Sequence, residues 1–203
     1  MLVIYKSRVF ESYKTFKDAW PWDENYDDWK KMLIKTFKYL FVNQCIVLPL
    51  SLFSYYYYNV SANNVSYEDL PDLKTLFLHL GIFLLCEDFT FYWAHRILHI
   101  KSIYPYIHKI HHQYRLVVGI ATEYCHPFEY LFANLLASSS GALIMGKNTH
   151  LFTYIVWVFI RICETTDGHS GYELPWSPFR LLAFSAGQEY HNYHHLNFDG
   201  NYG

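Results

Sequence analysis

The sequence predicts an all-α fold, an integral membrane helical bundle with about four membrane-embedded helices. Apolar residues make up 52% of the 203 residues and charged residues only 17%, whereas soluble domains usually carry about 25% charged residues. Long uncharged segments could cross a bilayer. Histidines recur at spacings of three and four, which place side chains close together on a helix. No nucleic-acid partner is expected, because the formal net charge is -2 and no basic tract lies beside stacking aromatics.

The chain divides into an N-terminal segment, residues 1–38, and a membrane-embedded domain, residues 39–203. The first segment mixes charged and aromatic residues, which is typical of helices lying at a membrane surface and also fits a solvated arm. It lacks a short apolar run followed by a small-residue cleavage site. A secretory signal peptide is therefore not expected.

Residues 39–58 carry no charge and are long enough to cross a hydrocarbon core of about 30 Å. Pro49 is expected to kink this helix. The following loop, residues 59–72, has no Lys or Arg, so the positive-inside rule places the N-terminus in the cytosol and the loop on the other side. Two glycosylation sequons, at Asn59 and Asn64, agree with a lumenal loop.

A second apolar segment, residues 73–93, returns the chain to the cytosol. Along this helix Asp88 shares one stripe with His95 and His99, within two turns of them. A carboxylate at membrane depth is costly and is usually functional. We therefore expect Asp88 or Glu87 to orient a ligand histidine; the alternative is a carboxylate that reaches the interface.

Residues 126–145 and 151–162 predict a helical hairpin that turns at residues 146–149. Its second arm is short for a full span, so the hairpin is expected to be re-entrant or tilted. The small residues at 137–142 would permit close helix packing. Because the hairpin starts and ends on the cytosolic side, all histidine groups are expected on one face of the bilayer.

Three histidine motifs mark the candidate site, one HxxxH and two HxxHH. They comprise His95, His99, His108, His111, His112, His191, His194 and His195. Twelve histidines placed at random would give only about 0.04 copies of HxxHH. Each motif is expected to form one ligand face of a helix. Imidazole suits iron, copper, nickel and zinc, and eight histidines exceed the four ligands of a structural zinc site, which favours two adjacent metal ions. The alternative is a set of surface histidines on amphipathic helices.

The remaining histidines and the cysteines are assigned individually. His169, in a turn-rich segment between the hairpin and the last motif, is favoured as a further ligand of a site assembled from several segments. His126, at the start of the hairpin, is an open candidate. His79 and His150 are expected to be non-ligands. The four cysteines show no CxxC spacing and are expected to be free, buried thiols.

These motifs resemble the fatty acid hydroxylase and sterol desaturase superfamily of membrane di-iron oxygenases. The segments around them are similar in particular to 4-methylsterol monooxygenases. These segments are HRILH (95–99), IHKIHHQY (107–114), EYCHPFEY (123–130), ETTDGHSGY (164–172) and HNYHHLNFDGNYG (191–203). The resemblance covers about residues 35–203.

The resemblance implies two non-haem irons as the cofactor, with the motif histidines and His169 as metal ligands and catalytic residues. Other superfamily members supply a further ligand at the position of Thr165, a gap that His126 could fill. Dioxygen would be the oxidant, with electrons from NADH or NADPH through a b-type cytochrome or a reductase. The substrate would be a lipid-soluble sterol whose 4-methyl group is oxidised to alcohol, aldehyde and acid. The location implied is the endoplasmic reticulum membrane, with the metals on the cytosolic side.

Two alternatives to this function stay open. One is another enzyme of the superfamily, a sterol desaturase, a sterol side-chain oxidase or a fatty acyl hydroxylase, with the same metals and a different channel. The other is a non-catalytic metal-binding protein, because the family normally continues past NFDGNY and this chain is expected to be C-terminally truncated. A substrate channel from the membrane is expected, with five candidate lining aromatics: Trp93, Tyr104, Tyr106, Phe128 and Tyr130.

Overall fold

The computed structural model describes residues 8–59, 65–181, 187–198 and 200–203, and the side chains of all of these except 58 and 59. Helices and turns make up these ranges, and their one β-type pairing is an isolated bridge between Lys14 and Tyr172. The predicted all-α class is confirmed for these ranges. Both sequons include residues of 60–64, which lie outside them.

The first long helix starts further upstream than its apolar residues suggest. Helix α1 (Tyr26–Val42) continues through a π-helical turn (Asn43–Val47) into α2 (Leu48–Asn59). The Asn25 side chain caps α1 by accepting a hydrogen bond from the Asp28 amide at 3.1 Å, and acidic residues in the first turn complement the helix dipole. The π turn ends two residues before Pro49. Proline cannot donate a helical hydrogen bond, so the predicted irregularity is accommodated by a wider turn.

Helix α3 (Leu73–Leu98) is also longer than predicted. Asp72 caps it by accepting from the Thr75 amide at 2.7 Å. The segments Tyr26–Tyr57 and Leu73–Leu98 are long and apolar enough to cross a membrane, and only 11% of each apolar window is buried, unlike the core helices of soluble proteins. In the described part of the chain, two helices therefore meet these criteria, against about four expected.

The predicted hairpin consists of a first turn (Pro127–Glu129), a π-helical turn (Tyr130–Leu135), α4 (Leu136–Met145) and α5 (Leu151–Gly168). The chain reverses at Gly146, where φ is +53°, a conformation that suits glycine. Helix α5 extends beyond the expected end at residue 162.

Helix α4 packs closely against α3. A Cβ at Gly141 would lie 2.6 Å from Phe83 Cδ1 and 2.7 Å from Phe83 Cα. The close packing predicted for the small residues is thus found at Gly141. This contact fixes the hairpin against the helix that carries the first histidines.

The described residues before α1, from Arg8 onward, pack on the protein and do not form a solvated arm. Phe16 and Trp20 join a buried cluster with Trp29 of α1 and with Tyr114 and Tyr124, which both follow the middle histidine segment, residues 108–112. The Tyr13 carbonyl accepts a hydrogen bond from the Glu173 amide at 2.8 Å. The N-terminal aromatics thereby support the backbone around the candidate site. All four cysteines are free, but only Cys125 is buried, contrary to the expectation for the other three.

Candidate metal centre

Nine histidines come together in two groups, each with its ligand nitrogens within 4.8 Å of one another. The first group is His95, His99, His108, His112 and His194. The second group is His111, His169, His191 and His195. These are all the motif histidines together with His169.

Both HxxHH motifs are shared between the two groups. In the 3-10 helix His108–Gln113, the i and i+4 histidines belong to the first group and His111 to the second. In α6 (Gln188–Asn197) the assignment is reversed, because His194 alone belongs to the first group. The expectation of one ligand face per motif is therefore wrong, since residues i and i+3 point to different groups. Each motif instead connects both groups.

The other histidines of the two groups come from the ends of two long helices. His95 lies in the last turn of α3 and His99 is its C-terminal cap residue. His169 follows directly after α5, as its C-terminal cap residue. The extra length of both helices, beyond their apolar segments, brings these side chains to the site.

Nε2 atoms of neighbouring histidines lie only 2.9–3.1 Å apart within each group. Most of the same rings are fixed through their other nitrogen. Nδ1 lies 2.8–3.1 Å from a backbone carbonyl oxygen in His95, His111, His169, His194 and His195. The acceptor is the carbonyl of Tyr202 for His95, Tyr124 for His111, Thr165 for His169, Gly200 for His194 and Tyr114 for His195.

These contacts determine which ring nitrogen carries the proton. A carbonyl oxygen can only accept, so Nδ1 of the neutral imidazole is protonated and Nε2 presents a lone pair. Lone pairs about 3 Å apart repel one another unless a cation lies between them. The donor set therefore fits a metal ion in each group.

The Nε2 spacing also indicates the coordination geometry. With metal–nitrogen bonds of about 2.1 Å, ligands at right angles lie about 3.0 Å apart and tetrahedral ligands about 3.4 Å apart. The observed distances of 2.9–3.1 Å match right angles. These Nε2 pairs are therefore closer together than the ligands of a tetrahedral structural zinc site.

Burial keeps the site histidines neutral. Desolvation lowers the pKa of His111 to about 4 and that of His169 to about 4. Burial, and then the neighbouring imidazoles, lower the pKa of His191 and His195 well below the usual value. Neutral imidazole is the form that binds metal, so no proton has to be displaced near pH 7.

Glu129 is a site residue that the sequence analysis missed. It lies buried in the first turn of the hairpin, and its Oε1 is 2.7 Å from His108 Nδ1. A carboxylate in this position orients the ring and makes Nε2 a stronger ligand. The available signal was an acidic residue in the apolar run HPFEYLF.

The carboxylates predicted for that role, Glu87 and Asp88, line a cavity with His169 and His191 but make other contacts. Glu87 Oε2 is 2.7 Å from Arg161 Nε of α5, and Asp88 lines a cavity beside this ion pair. Neither has a hydrogen bond to a ligand histidine among the described contacts. The prediction was wrong because Glu87 faces a cationic residue of the neighbouring helix, which spacing along a single helix cannot reveal.

His126 lies outside both groups. Its Nδ1 accepts a hydrogen bond from the Phe128 amide at 3.1 Å and caps the start of the hairpin. Thr165 lies at the position of the expected further ligand. Its backbone carbonyl accepts a hydrogen bond from His169 Nδ1. His79 and His150 are also outside both groups, as predicted.

A cavity of about 210 Å³ adjoins the histidines; we call it the chamber. Its walls include histidines of both groups and residues of the π turn Tyr130–Leu135 and of α5. Of the predicted channel aromatics, Tyr130 lines the chamber and Tyr104 packs on His99 with ring centroids 5.4 Å apart. The other three, Trp93, Tyr106 and Phe128, are exposed.

Comparison with known proteins gives consistent matches. The family model described as "Fatty acid hydroxylase" matches residues 80–203. "Very-long-chain aldehyde decarbonylase GL1-8" of Oryza sativa subsp. indica is 35% identical over 194 residues, 96% of this chain and 68% of that protein. "Methylsterol monooxygenase 1" of Danio rerio is 37% identical over 178 residues, 87% of this chain and 60% of that protein. "Methylsterol monooxygenase 2-2" of Arabidopsis thaliana is 38% identical over 148 residues, 73% of this chain and 54% of that protein. No solved structure matches the chain.

Proposed function

The chain belongs to the fatty acid hydroxylase family, and from this premise we propose that it is a membrane-bound di-iron monooxygenase acting on sterol precursors. The proposed reaction oxidises the 4α-methyl group to alcohol, aldehyde and carboxylate. In each step, one atom of dioxygen is transferred to the substrate and the other leaves as water, with two electrons from NADH or NADPH and two protons.

The observation that carries the proposal is the arrangement of nine histidine ligand nitrogens in two groups. We assign one iron to each group and all nine histidines as ligands. When bound, the two irons would supply the activation of dioxygen and the oxidation of the unactivated C–H bond. The shared HxxHH motifs would hold the two irons next to each other.

The residues of this chain prepare the site for that chemistry. The backbone carbonyls and Glu129 hold the rings in orientation, so that ligand positions do not have to form when the metal binds. Buried residues in the chamber wall, such as His108 and Glu129, would limit the access of water to the substrate carbon. The substrate is proposed to reach the chamber from the membrane, because a sterol is too apolar to leave the bilayer easily.

The sterol assignment is supported by relatives named methylsterol monooxygenases at 37% and 38% identity. By the same resemblance, a b-type cytochrome or a reductase would deliver the electrons. The enzyme would lie in the endoplasmic reticulum membrane. The positive-inside rule supports placing the metal site at the cytosolic face.

Aldehyde decarbonylation is the second candidate function. It is favoured by the rice relative, which bears that name and aligns with 96% of this chain. The same two irons would serve this activity, so the metal site does not distinguish the two. The substrate decides between them.

The test uses the iron-loaded chain in membranes with a reductase, NADPH and dioxygen. Incubation with a 4,4-dimethylsterol should yield the 4-carboxysterol, whereas a very-long-chain aldehyde should not yield an alkane. The His111→Ala variant should lose the product, and His79→Ala, outside both groups, should retain it. Alkane formation without a carboxysterol would support the decarbonylase, and no turnover of iron-loaded protein would contradict both functions.

A further inference from the structure

A second cavity lies beside the chamber and faces outward. It is an apolar groove of about 580 Å³ between the first membrane helix and the first arm of the hairpin. Its walls are Val47, Leu50, Ser51, Ser54 and Tyr55 on one side and Leu131, Leu135, Leu136, Ser139 and Leu143 on the other. Leu135 lines both cavities. The groove and the chamber are therefore separated at this side chain.

The two π-helical turns of the membrane helices meet at this boundary. The turns Asn43–Val47 and Tyr130–Leu135 contact each other. Each turn lines both cavities: Gln44 lies at the chamber and Val47 at the groove, while Tyr130 lies at the chamber and Leu131 at the groove. A π turn widens a helix locally and is often found at functional sites. Two of them at one boundary indicate a passage for a ligand.

A polar pair stands at the inner end of this passage. Gln44 Nε2 donates to Glu123 Oε2 at 3.1 Å, and both residues line the chamber. Glu123 immediately precedes Tyr124, whose carbonyl accepts from Nδ1 of the ligand His111. The amide and the carboxylate together offer a donor and an acceptor, which is what a hydroxyl group needs. The pair thus places a hydroxyl-binding position close to the second histidine group.

The sizes of the two cavities limit what each can hold. The chamber, at about 210 Å³, is smaller than the roughly 300–1,000 Å³ typical of small-molecule sites, whereas the groove lies within that range. Half of the ten residues that line the groove are leucines, and Leu50 there is 64% exposed. A lipid would accordingly place one small, polar end in the chamber and its hydrocarbon part in the groove.

From these observations we propose that the chamber and the groove form one binding site for an amphipathic lipid, with the Gln44–Glu123 pair binding a hydroxyl group next to the carbon that is oxidised. This deepens the proposed function and rests on it. In a 4-methylsterol the hydroxyl and the methyl group are on neighbouring ring carbons. A hydroxyl bound by the pair would therefore direct that methyl group towards the histidines. A simple long-chain aldehyde has no such hydroxyl.

Equilibrium binding tests the hydroxyl position without turnover. The full iron-loaded chain in lipid nanodiscs, kept anaerobic and without reductant, is titrated with a 4,4-dimethylsterol and with its 3-deoxy analogue. Unmodified protein should bind the hydroxysterol about 10- to 100-fold more tightly, the range expected for hydrogen bonds to a charged group. Gln44→Leu should remove this difference while affinity for the 3-deoxy analogue and iron content stay unchanged. Glu123→Leu should do the same, and the conservative Glu123→Gln should retain part of the preference.

The rate of association tests the passage. Leu135→Trp should slow the binding of both sterols about tenfold or more by filling the boundary between groove and chamber. Ile144→Trp is the matched control, because Ile144 is 72% exposed on the same arm and lines neither cavity. Unchanged association in Leu135→Trp would overturn the passage.

Equal binding of the two sterols to unmodified protein would overturn the hydroxyl position. This result is distinguishable from failure of the proposed function. Formation of a 4-carboxysterol without hydroxyl preference would contradict only the present inference. Hydroxyl-dependent binding without sterol oxidation would support the binding site and contradict the proposed reaction.

Discussion

His195 Nε2 lies 3.1 Å from His111 Nε2, although 84 positions separate these residues in the chain. Each ring is fixed through Nδ1 by a carbonyl near the middle histidine segment, that of Tyr114 for His195 and that of Tyr124 for His111. Tyr114 and Tyr124 in turn contact each other, with ring centroids 5.3 Å apart. One aromatic layer therefore positions ligands from two distant motifs.

The split of the HxxHH motifs predicts different metal losses for neighbouring residues. His111→Ala leaves three histidines in the second group, and His112→Ala leaves four in the first. Iron content should fall to about one per chain in His111→Ala. The loss of iron should be smaller in His112→Ala, because a group with more remaining ligands holds its metal better. Iron measured per purified chain checks this. Full iron content in His111→Ala would contradict the assignment of the second group.

Glu129 should influence the metal site without being a ligand. Glu129→Gln removes the carboxylate that orients His108, so metal affinity or activity should fall about 10- to 100-fold, as found for such supporting groups. Asp88→Asn is the matched control, since Asp88 was a carboxylate expected from the sequence and makes no described hydrogen bond to a histidine of either group. Competition with a chelator measures the affinity. A larger loss in Asp88→Asn than in Glu129→Gln would reverse the assignment.

The metal-free protein should lose stability on mild acidification. Burial lowers the pKa of His111 and His169 to about 4, compared with about 6.5 in the unfolded chain. Between these values the unfolded state binds more protons, so stability rises with pH and is lost as pH falls from about 6.5 to about 4, by up to about 1.4 kcal/mol per pH unit for each histidine. Thermal unfolding of the metal-free chain in detergent at several pH values tests this. Constant stability across the window would contradict neutral, buried histidines.

The contact of Gly141 with Phe83 should be sensitive to one added methyl group. Gly141→Ala should destabilise the fold by about 1–3 kcal/mol, the usual cost of overpacking. Gly81→Ala on α3 is the control, because a Cβ there meets nothing within 4 Å, and alanine favours a helix by up to about 1 kcal/mol. Unfolding in a denaturing detergent compares the two. Equal stability of both variants would show that the helices can separate at no cost.

The sequence was sufficient to predict the helical class and the nine histidines that come together. Spacing along a chain reports on residues within a few turns, so the i, i+3 and i+4 histidines were recognised, and His169 was favoured because it lies between the hairpin and the last motif. Which histidine belongs to which group depends on how α6 meets the 3-10 helix, and one sequence contains no direct signal of that contact. The same holds for Glu129, which reaches His108 from the hairpin, and for the pairing of Glu87 with Arg161.

The ends of the helices were predicted less well, because an apolar stretch marks only the part of a helix that suits the membrane and not the full length of the helix. Helix α1 begins at Tyr26 with charged residues, and α5 continues past its apolar part to Gly168. In both cases hydrogen bonding and capping determine the end. The extension of α5 has a functional consequence, since it carries His169 to the site.

The most direct test of the account is the metal content of the purified, membrane-extracted chain, measured by elemental analysis and X-ray absorption at the metal edge. The account predicts two irons per chain, each surrounded mainly by imidazole nitrogen at about 2.1 Å, a metal–nitrogen distance typical of histidine ligands. A single tetrahedral zinc, or metal bound to the variant lacking His111 and His195 as well as to the unmodified protein, would contradict it.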